Sequence, residues 1–142
     1  MNLEDVFAIE QVIGVYSYTW DSGDVDGWTE VFTEDGIWDS HRKDEVEPRT
    51  HLAGRERLRE FASDSFSGRL AGIQPRHYQT NTLFLGLTDD TARTRTMTQV
   101  TWLPAGEMIP SIKWSGVYVD TWRKTHAGWK IAQRTLLLDQ PA

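Results

Sequence analysis

The chain contains no cysteine. Disulfides, thiolate metal sites and cysteine nucleophiles are excluded together, and a reducing compartment fits that composition. No apolar stretch approaches the length of a membrane span. The opening run Met1-Asn-Leu-Glu-Asp-Val6 is acidic and lacks the basic region and apolar run of a secretory signal, so a cytoplasmic protein is expected. Basic residues form no dense cluster, and the net charge is -6. Nucleic acid and anionic membranes, which select clustered Lys and Arg, are therefore not expected partners. There is no Gly-rich phosphate loop and no Gly-x-Ser-x-Gly elbow. Neither a nucleotide cofactor nor serine hydrolase chemistry is expected, and no other cofactor is implied. Without an internal repeat, low-complexity tract or linker, residues 1–142 are expected to form one domain.

What the chain does have is tryptophan, seven in 142 residues. Such side chains fill a core, line an apolar pocket or form an interface. Val6, Ile9, Ile13, Tyr16 and Trp20 recur at spacings of three and four. That predicts one apolar stripe on a helix, with Asn2 as N-cap and Glu4 and Asp5 at the positive end of its dipole. Asp21-Ser-Gly-Asp24 ends it, and Asp24 caps a short second helix carrying Trp28, Val31 and Phe32. Thr33-Glu-Asp-Gly36 reads as a turn before a short strand around Ile37 and Trp38. Ser40 to Thr50 is dense in charge and holds Pro48, which predicts a loop, conceivable as a lid over a pocket. A third helix is predicted over 54–66, with Leu58, Phe61 and Ala62 buried.

Beyond Pro75 the pattern turns to strands: His77–Leu87, Thr91–Leu103, Ile112–Thr125 and Trp129–Leu138. Thr88-Asp-Asp90 and His126-Ala-Gly128 read as hairpin turns, and 105–111 as a wider connection. Helices followed by consecutive antiparallel strands predict an α+β fold, with a twisted sheet folded over the helices and a cavity between them.

This order of elements resembles the SnoaL-like branch of the nuclear transport factor 2-like superfamily. The pieces are Asp21-Ser-Gly-Asp24, then Trp28-Thr-Glu-Val-Phe-Thr-Glu-Asp-Gly36, Gly54, Arg76-His77-Tyr78-Gln79-Thr80-Asn81, Gly116-Val-Tyr118 and Gly128-Trp-Lys-Ile131. The resemblance spans nearly the whole chain. It implies a conical α+β barrel, a curved and mainly antiparallel sheet wrapped around three N-terminal helices, with a pocket in its mouth. It also implies a homodimer or homotrimer. Tyr16, Asp21 and His77 look like the functional positions of the scytalone dehydratase, bile-acid dehydratase and hexachlorocyclohexane dehydrochlorinase group, in which an Asp-supported His drives elimination. Arg134 looks like a basic pocket residue of that group. Similar domains also serve as isomerases, cyclases and small subunits of ring-hydroxylating dioxygenases, so fold alone leaves function open.

The residues themselves carry two readings each. His77 is a general base and acid, since an imidazole changes charge near neutral pH, or a strand histidine with a satisfied hydrogen bond. Asp21 orients that imidazole, or is a turn residue; at a helix C-terminus its charge meets the wrong end of the dipole and needs a compensating partner. Tyr16 packs in the core or points its phenol into the cavity toward a substrate oxygen. Asn81 lies an even number of residues from His77 and is expected on the same strand face, where it orients the substrate or the imidazole, or satisfies buried backbone. Trp38, Trp102, Trp114, Tyr118 and Trp122 are candidates for an apolar lining. Parity separates Arg134 from Trp129 and Ile131, so it points away from the cavity unless a bulge intervenes. Arg93 and Arg95 share one face and read as a solvated or interface surface. His41, His51 and His126 fit no ligand spacing, so solvated charges are expected there and no metal.

The expected function is a cofactor-independent lyase or isomerase, of dehydratase or cyclase type, acting on a small hydrophobic cyclic molecule through an Asp-His pair. The alternative is a non-catalytic small-ligand binder or a structural partner subunit of a ring-hydroxylating oxygenase.

Overall fold

The computed structural model describes residues 2–142. Helix α1, Leu3–Asp21, starts where the Asn2 side chain accepts from the Glu4 N–H at 3.0 Å. Ile9, Ile13, Tyr16 and Trp20 of the apolar stripe are buried. Val6 is only half-buried; Asp5, one helical turn before Ile9, takes the inward position. Its carboxylate accepts from Lys124 Nζ at 2.8 Å and from the Trp129 indole N–H at 2.7 Å. A charge can occupy a stripe position when both a cation and a donor meet it there. Helix α2, Val25–Glu30, is capped by Asp24, which accepts from the Gly27 N–H at 2.9 Å.

Strand β1 runs over Phe32–Lys43 and is far longer than the short strand expected around Trp38. The turn expected at 33–36 lies inside it, as a register break against the last strand between Phe32 and Ile37. Gly36 is required there, because a Cβ would fall 2.8 Å from Phe32 Cβ and 2.9 Å from the Thr33 carbonyl oxygen. Strand β2, Thr50–Ala53, pairs antiparallel with β1. The charge-rich segment expected as one loop is therefore two hydrogen-bonded strands around a short turn, in which Glu45 accepts from the Arg42 N–H at 2.8 Å. Charged residues tolerate a strand whose other face is buried, and that alternation is obscured when both faces carry polar groups.

Helix α3 spans Arg55–Ser67, with Leu58 and Ala62 buried and Phe61 partly so. Strands β3 (Ile73–Leu87), β4 (Thr91–Pro104), β5 (Ser111–Thr125) and β6 (Gly128–Pro141) complete a six-stranded sheet in the order β2-β1-β6-β5-β4-β3. All neighbours are antiparallel except β1 and β6. Register breaks in every one of the four pairings from β1·β6 to β3·β4 bend the sheet. The result is a curved α+β barrel whose inner face closes on the helices. Its core joins Ile9 and Ile13 of α1, Trp28 of α2, Leu58 of α3, and Phe32, Trp122 and Ile131 of the sheet. Burial of each such side chain contributes about 1.5–3 kcal/mol. Arg93 and Arg95 are exposed on the outer face, alternating with inward Ala92, Thr94 and Thr96.

Candidate functional site

Asp21 is the last residue of α1 and His77 the third inner position of β3, and the fold closes the distance between them. Asp21 Oδ1 lies 2.7 Å from His77 Nδ1, and Oδ2 accepts from the His77 backbone N–H at 2.8 Å. Both carboxylate oxygens are thus committed to one residue, which fixes the ring's plane and position. The side chains are 4% and 7% exposed. Gln74 Nε2 donates to the Asp21 carbonyl oxygen at 2.8 Å, tying the helix end to β3. A carboxylate on Nδ1 holds the proton there and leaves Nε2 as the nitrogen free to act.

His77 lines a cavity of about 410 Å³. Tyr16, Trp20, Trp28, Trp38, Trp102, Trp114 and Tyr118 line it with His77. The imidazole is met edge-on by the rings of Trp114 at 5.9 Å, Tyr16 at 6.2 Å and Trp20 at 6.5 Å. Tyr16 sits on the core stripe and also reaches the pocket; its hydroxyl accepts from the Trp38 indole N–H at 3.1 Å, so its own O–H remains a donor. Burial first, and the adjacent Tyr16 next, hold the Tyr118 phenol well above the usual tyrosine range. The Tyr118 phenol therefore stays protonated at neutral pH.

Arg134 reaches the inner side of the sheet because the β5·β6 register shifts between Thr121 and Trp122, leaving Ala132 as the extra residue. That bulge reverses the alternation, so Trp129, Ile131, Arg134 and Leu136 are all buried. Arg134 does not line the cavity. Its guanidinium donates to both oxygens of Asp120 at 2.8 Å and lies between the rings of Tyr16 and Tyr118, 4.2 Å and 4.0 Å from their centroids. Burial opposes its charge, but Asp120 outweighs it and the guanidinium holds its proton more tightly than a free arginine. Arg134 thus stands behind the two phenols as a support.

Asn81 lies elsewhere. It is exposed, with φ at 57°, in the β3 register break between Thr80 and Leu83, and its Oδ1 accepts from Thr80 Oγ1 at 2.9 Å. The bulge removes it from the face it was expected to share with His77, and asparagine is among the few residues that tolerate this conformation. Trp122 is a core residue, donating to Thr94 Oγ1 at 2.9 Å. His51 and His41 lie in strands rather than a loop. His51 pairs with Asp39 at 2.5 Å on the opposite face of β1 from Trp38, and Gln133 donates to the other Asp39 oxygen at 3.1 Å. Among the described residues no group of three His, Asp or Glu is placed to hold a metal.

Sequence reading missed several lining residues, including Phe61, Arg42, Arg69 and Lys113. Arg42 was within reach, because it follows Trp38 and Ser40 at even spacing. Lys113 was not: the β4·β5 register skips it between Val100–Trp114 and Thr101–Ile112, so Lys113 and Trp114 both border the pocket despite being adjacent. Asp120, the partner of Arg134, carried no sequence signal beyond its strand.

A curved six-stranded sheet closed over helices, with a buried Asp-His pair in an aromatic pocket, defines a protein of the cystatin-like, nuclear transport factor 2 type. Within that class the chain belongs to the SnoaL-like domain family, whose model matches residues 1–135. A variant of a protein of unknown function from Mycobacterium tuberculosis is 28% identical, with a TM-score of 0.82 over 96% of this chain and 73% of that one. A candidate scytalone dehydratase from Novosphingobium aromaticivorans is 21% identical, with a TM-score of 0.80 over 98% and 87% of the two chains. The β subunit of a candidate aromatic-ring-hydroxylating dioxygenase from the same organism is 18% identical, with a TM-score of 0.83 over 99% and 94%. These last two likenesses show the fold alone. No curated protein matches the chain. No helix among the described residues is long and apolar enough to cross a membrane.

Proposed function

We propose that the domain is a cofactor-independent lyase or isomerase that removes a proton from carbon beside a carbonyl. The observation that carries this reading is the two-oxygen clamp of Asp21 on His77 inside an aromatic pocket. His77 Nε2 takes the proton, and the C–H electron pair moves onto the carbonyl oxygen as an enolate. Asp21 stabilises the imidazolium that forms, through a charge-assisted bond of about 1.5–3 kcal/mol. The Tyr16 hydroxyl, freed by accepting from Trp38, donates toward the developing oxyanion. In a dehydration the enolate then expels the β-hydroxyl, which takes the proton back from Nε2–H and leaves as water. One C–H and one C–O bond break, and one C=C bond forms. Reprotonation at another carbon gives isomerisation, and attack by the carbanion on a second carbonyl gives cyclisation. All three share the first step.

That step is testable without the natural substrate. Cyclic ketones incubated with the protein in D2O are assayed by mass spectrometry for deuterium at the α carbon. Wild type accelerates exchange, and His77→Gln lowers the rate by about 10²–10⁴-fold, the usual contribution of a positioned acid/base. Exchange in His77→Gln equal to wild type would end the reading. A role as an oxygenase partner subunit rests on likeness of fold at 18% identity and has no feature of the pocket in its favour.

A further inference from the structure

The cavity carries charge of one sign. Its lining includes Arg42, Arg69 and Lys113 and no aspartate or glutamate. The chain as a whole holds 21 acidic against 15 basic residues, so a purely basic lining runs against its composition. Several basic side chains elsewhere pair with a carboxylate: Arg55 with Glu30, Arg59 with Asp26, Arg123 with Asp35, Lys124 with Asp5 and Arg134 with Asp120. The three lining cations form no ion pair among the described residues. Lys113 Nζ lies over the Trp102 ring at 4.6 Å, and the Arg69 guanidinium lies over the Phe61 ring at 5.6 Å and donates to Ser65 Oγ. Glu45, three residues beyond Arg42, accepts from the Arg42 backbone N–H and from the Arg49 guanidinium. An aromatic face holds a cation in place without cancelling its charge, whereas a carboxylate partner cancels it.

The three cations also gather at one end. Arg42 is near the end of β1, Lys113 near the start of β5 and Arg69 just past α3. Arg42 stands four residues beyond Trp38, roughly 13 Å along the strand. Trp38 in turn contacts Tyr16 in the aromatic depth of the pocket. The aromatic rings around Tyr16 and Trp38 and the three basic side chains therefore share one cavity.

We infer that the pocket takes amphipathic anions: molecules with a flat apolar body seated against the tryptophans and an anionic oxygen group, carboxylate, sulfonate or phosphate, held by Arg42, Arg69 and Lys113. This deepens the proposed function and rests on it for the use of the pocket, but its test reads binding alone. Two fluorescent probes share one ring system: 8-anilinonaphthalene-1-sulfonate carries an anion, and N-phenyl-1-naphthylamine does not. Their dissociation constants are measured by fluorescence titration at low and high salt. Wild type binds the sulfonate at least about tenfold more tightly than the neutral probe at low salt, and the ratio shrinks as salt screens the cations. Arg42→Gln/Arg69→Gln/Lys113→Gln removes the ratio and retains the neutral probe. Arg93→Gln/Arg95→Gln, on the outer face, leaves the ratio unchanged. His77→Gln also keeps the ratio, so a failure of the proton-transfer chemistry is distinguishable from a failure of anion binding. Equal wild-type affinities, a ratio that survives the triple change, or one abolished by the outer-face pair would overturn the inference.

Discussion

Replacing Arg134 with methionine should cost about 3–5 kcal/mol of folding stability, the usual loss when one member of a buried ion pair is removed. Arg134 and Asp120 are each 0% exposed, and their contacts are two bonds of 2.8 Å. Arg134→Met leaves the Asp120 carboxylate with no cation and no route to water. Each lost bond to a charged group is worth about 1.5–3 kcal/mol, so the two together already reach that range. The rings of Tyr16 and Tyr118 also lose the cation between them, at about 0.5–2 kcal/mol each. Removing the stranded charge as well should restore most of the loss, because an apolar pair of similar volume is often no worse than a buried ion pair. Asp120→Val/Arg134→Met is accordingly expected about 1–4 kcal/mol below wild type, the residue of the lost cation–ring contacts. Urea unfolding of wild type, both single variants and the double variant gives the coupling energy directly. With a slope of about 1–3 kcal/mol per molar urea, the single change moves the midpoint by more than about 1 M. A single variant within about 1 kcal/mol of wild type, or a double variant no more stable than its weaker parent, would refute the reasoning.

Two further outcomes are expected. The Lys124 hydrogen bond first, and the Trp129 indole next, hold the Asp5 carboxyl below the ordinary carboxylate value; its contribution to stability is therefore full above about pH 4 and is lost as pH falls through the lower folded-state value. The stability gap between wild type and Asp5→Asn, measured by urea unfolding, should close as the pH is lowered from neutrality to below the free-carboxyl value of about 4, and a gap independent of pH would contradict the assignment. Gly116→Ala should destabilise by about 1–3 kcal/mol through overpacking, because the added Cβ would meet the Leu137 carbonyl oxygen at 2.3 Å across the β5·β6 pair; a thermal midpoint equal to that of wild type would show that the strands separate freely there.

Much of the architecture was legible from periodicity. The α1 stripe, the two caps at Asn2 and Asp24, and the four long strands of the second half all follow from spacing that reports burial. Asp21 and His77 were also legible, one as a helix-end carboxylate in need of a cation and the other as an imidazole on an inner strand face. What escaped reading shares one physical cause. Bulges at Asn81, Lys113 and Ala132 each reset the alternation of a strand, and a period of two has no local mark of where it slips. The slips moved Asn81 out of the site, brought Lys113 to its rim and turned Arg134 inward. The full length of β1 failed to show for a different reason: its pairing with β6, far along the chain, is decided by tertiary contact.

The clamp on His77 has a stereochemical consequence. With Nδ1 committed to Asp21, the ring offers the pocket a single nitrogen. An imidazole whose backbone and ring are both pinned cannot swing around a bound molecule during turnover. A proton taken by that nitrogen and a proton given back by it must cross the same face of the ligand. If His77 is the base of the proposed function, elimination through it is syn and migration suprafacial, and a substrate deuterated on one prochiral position should lose its label from that face only.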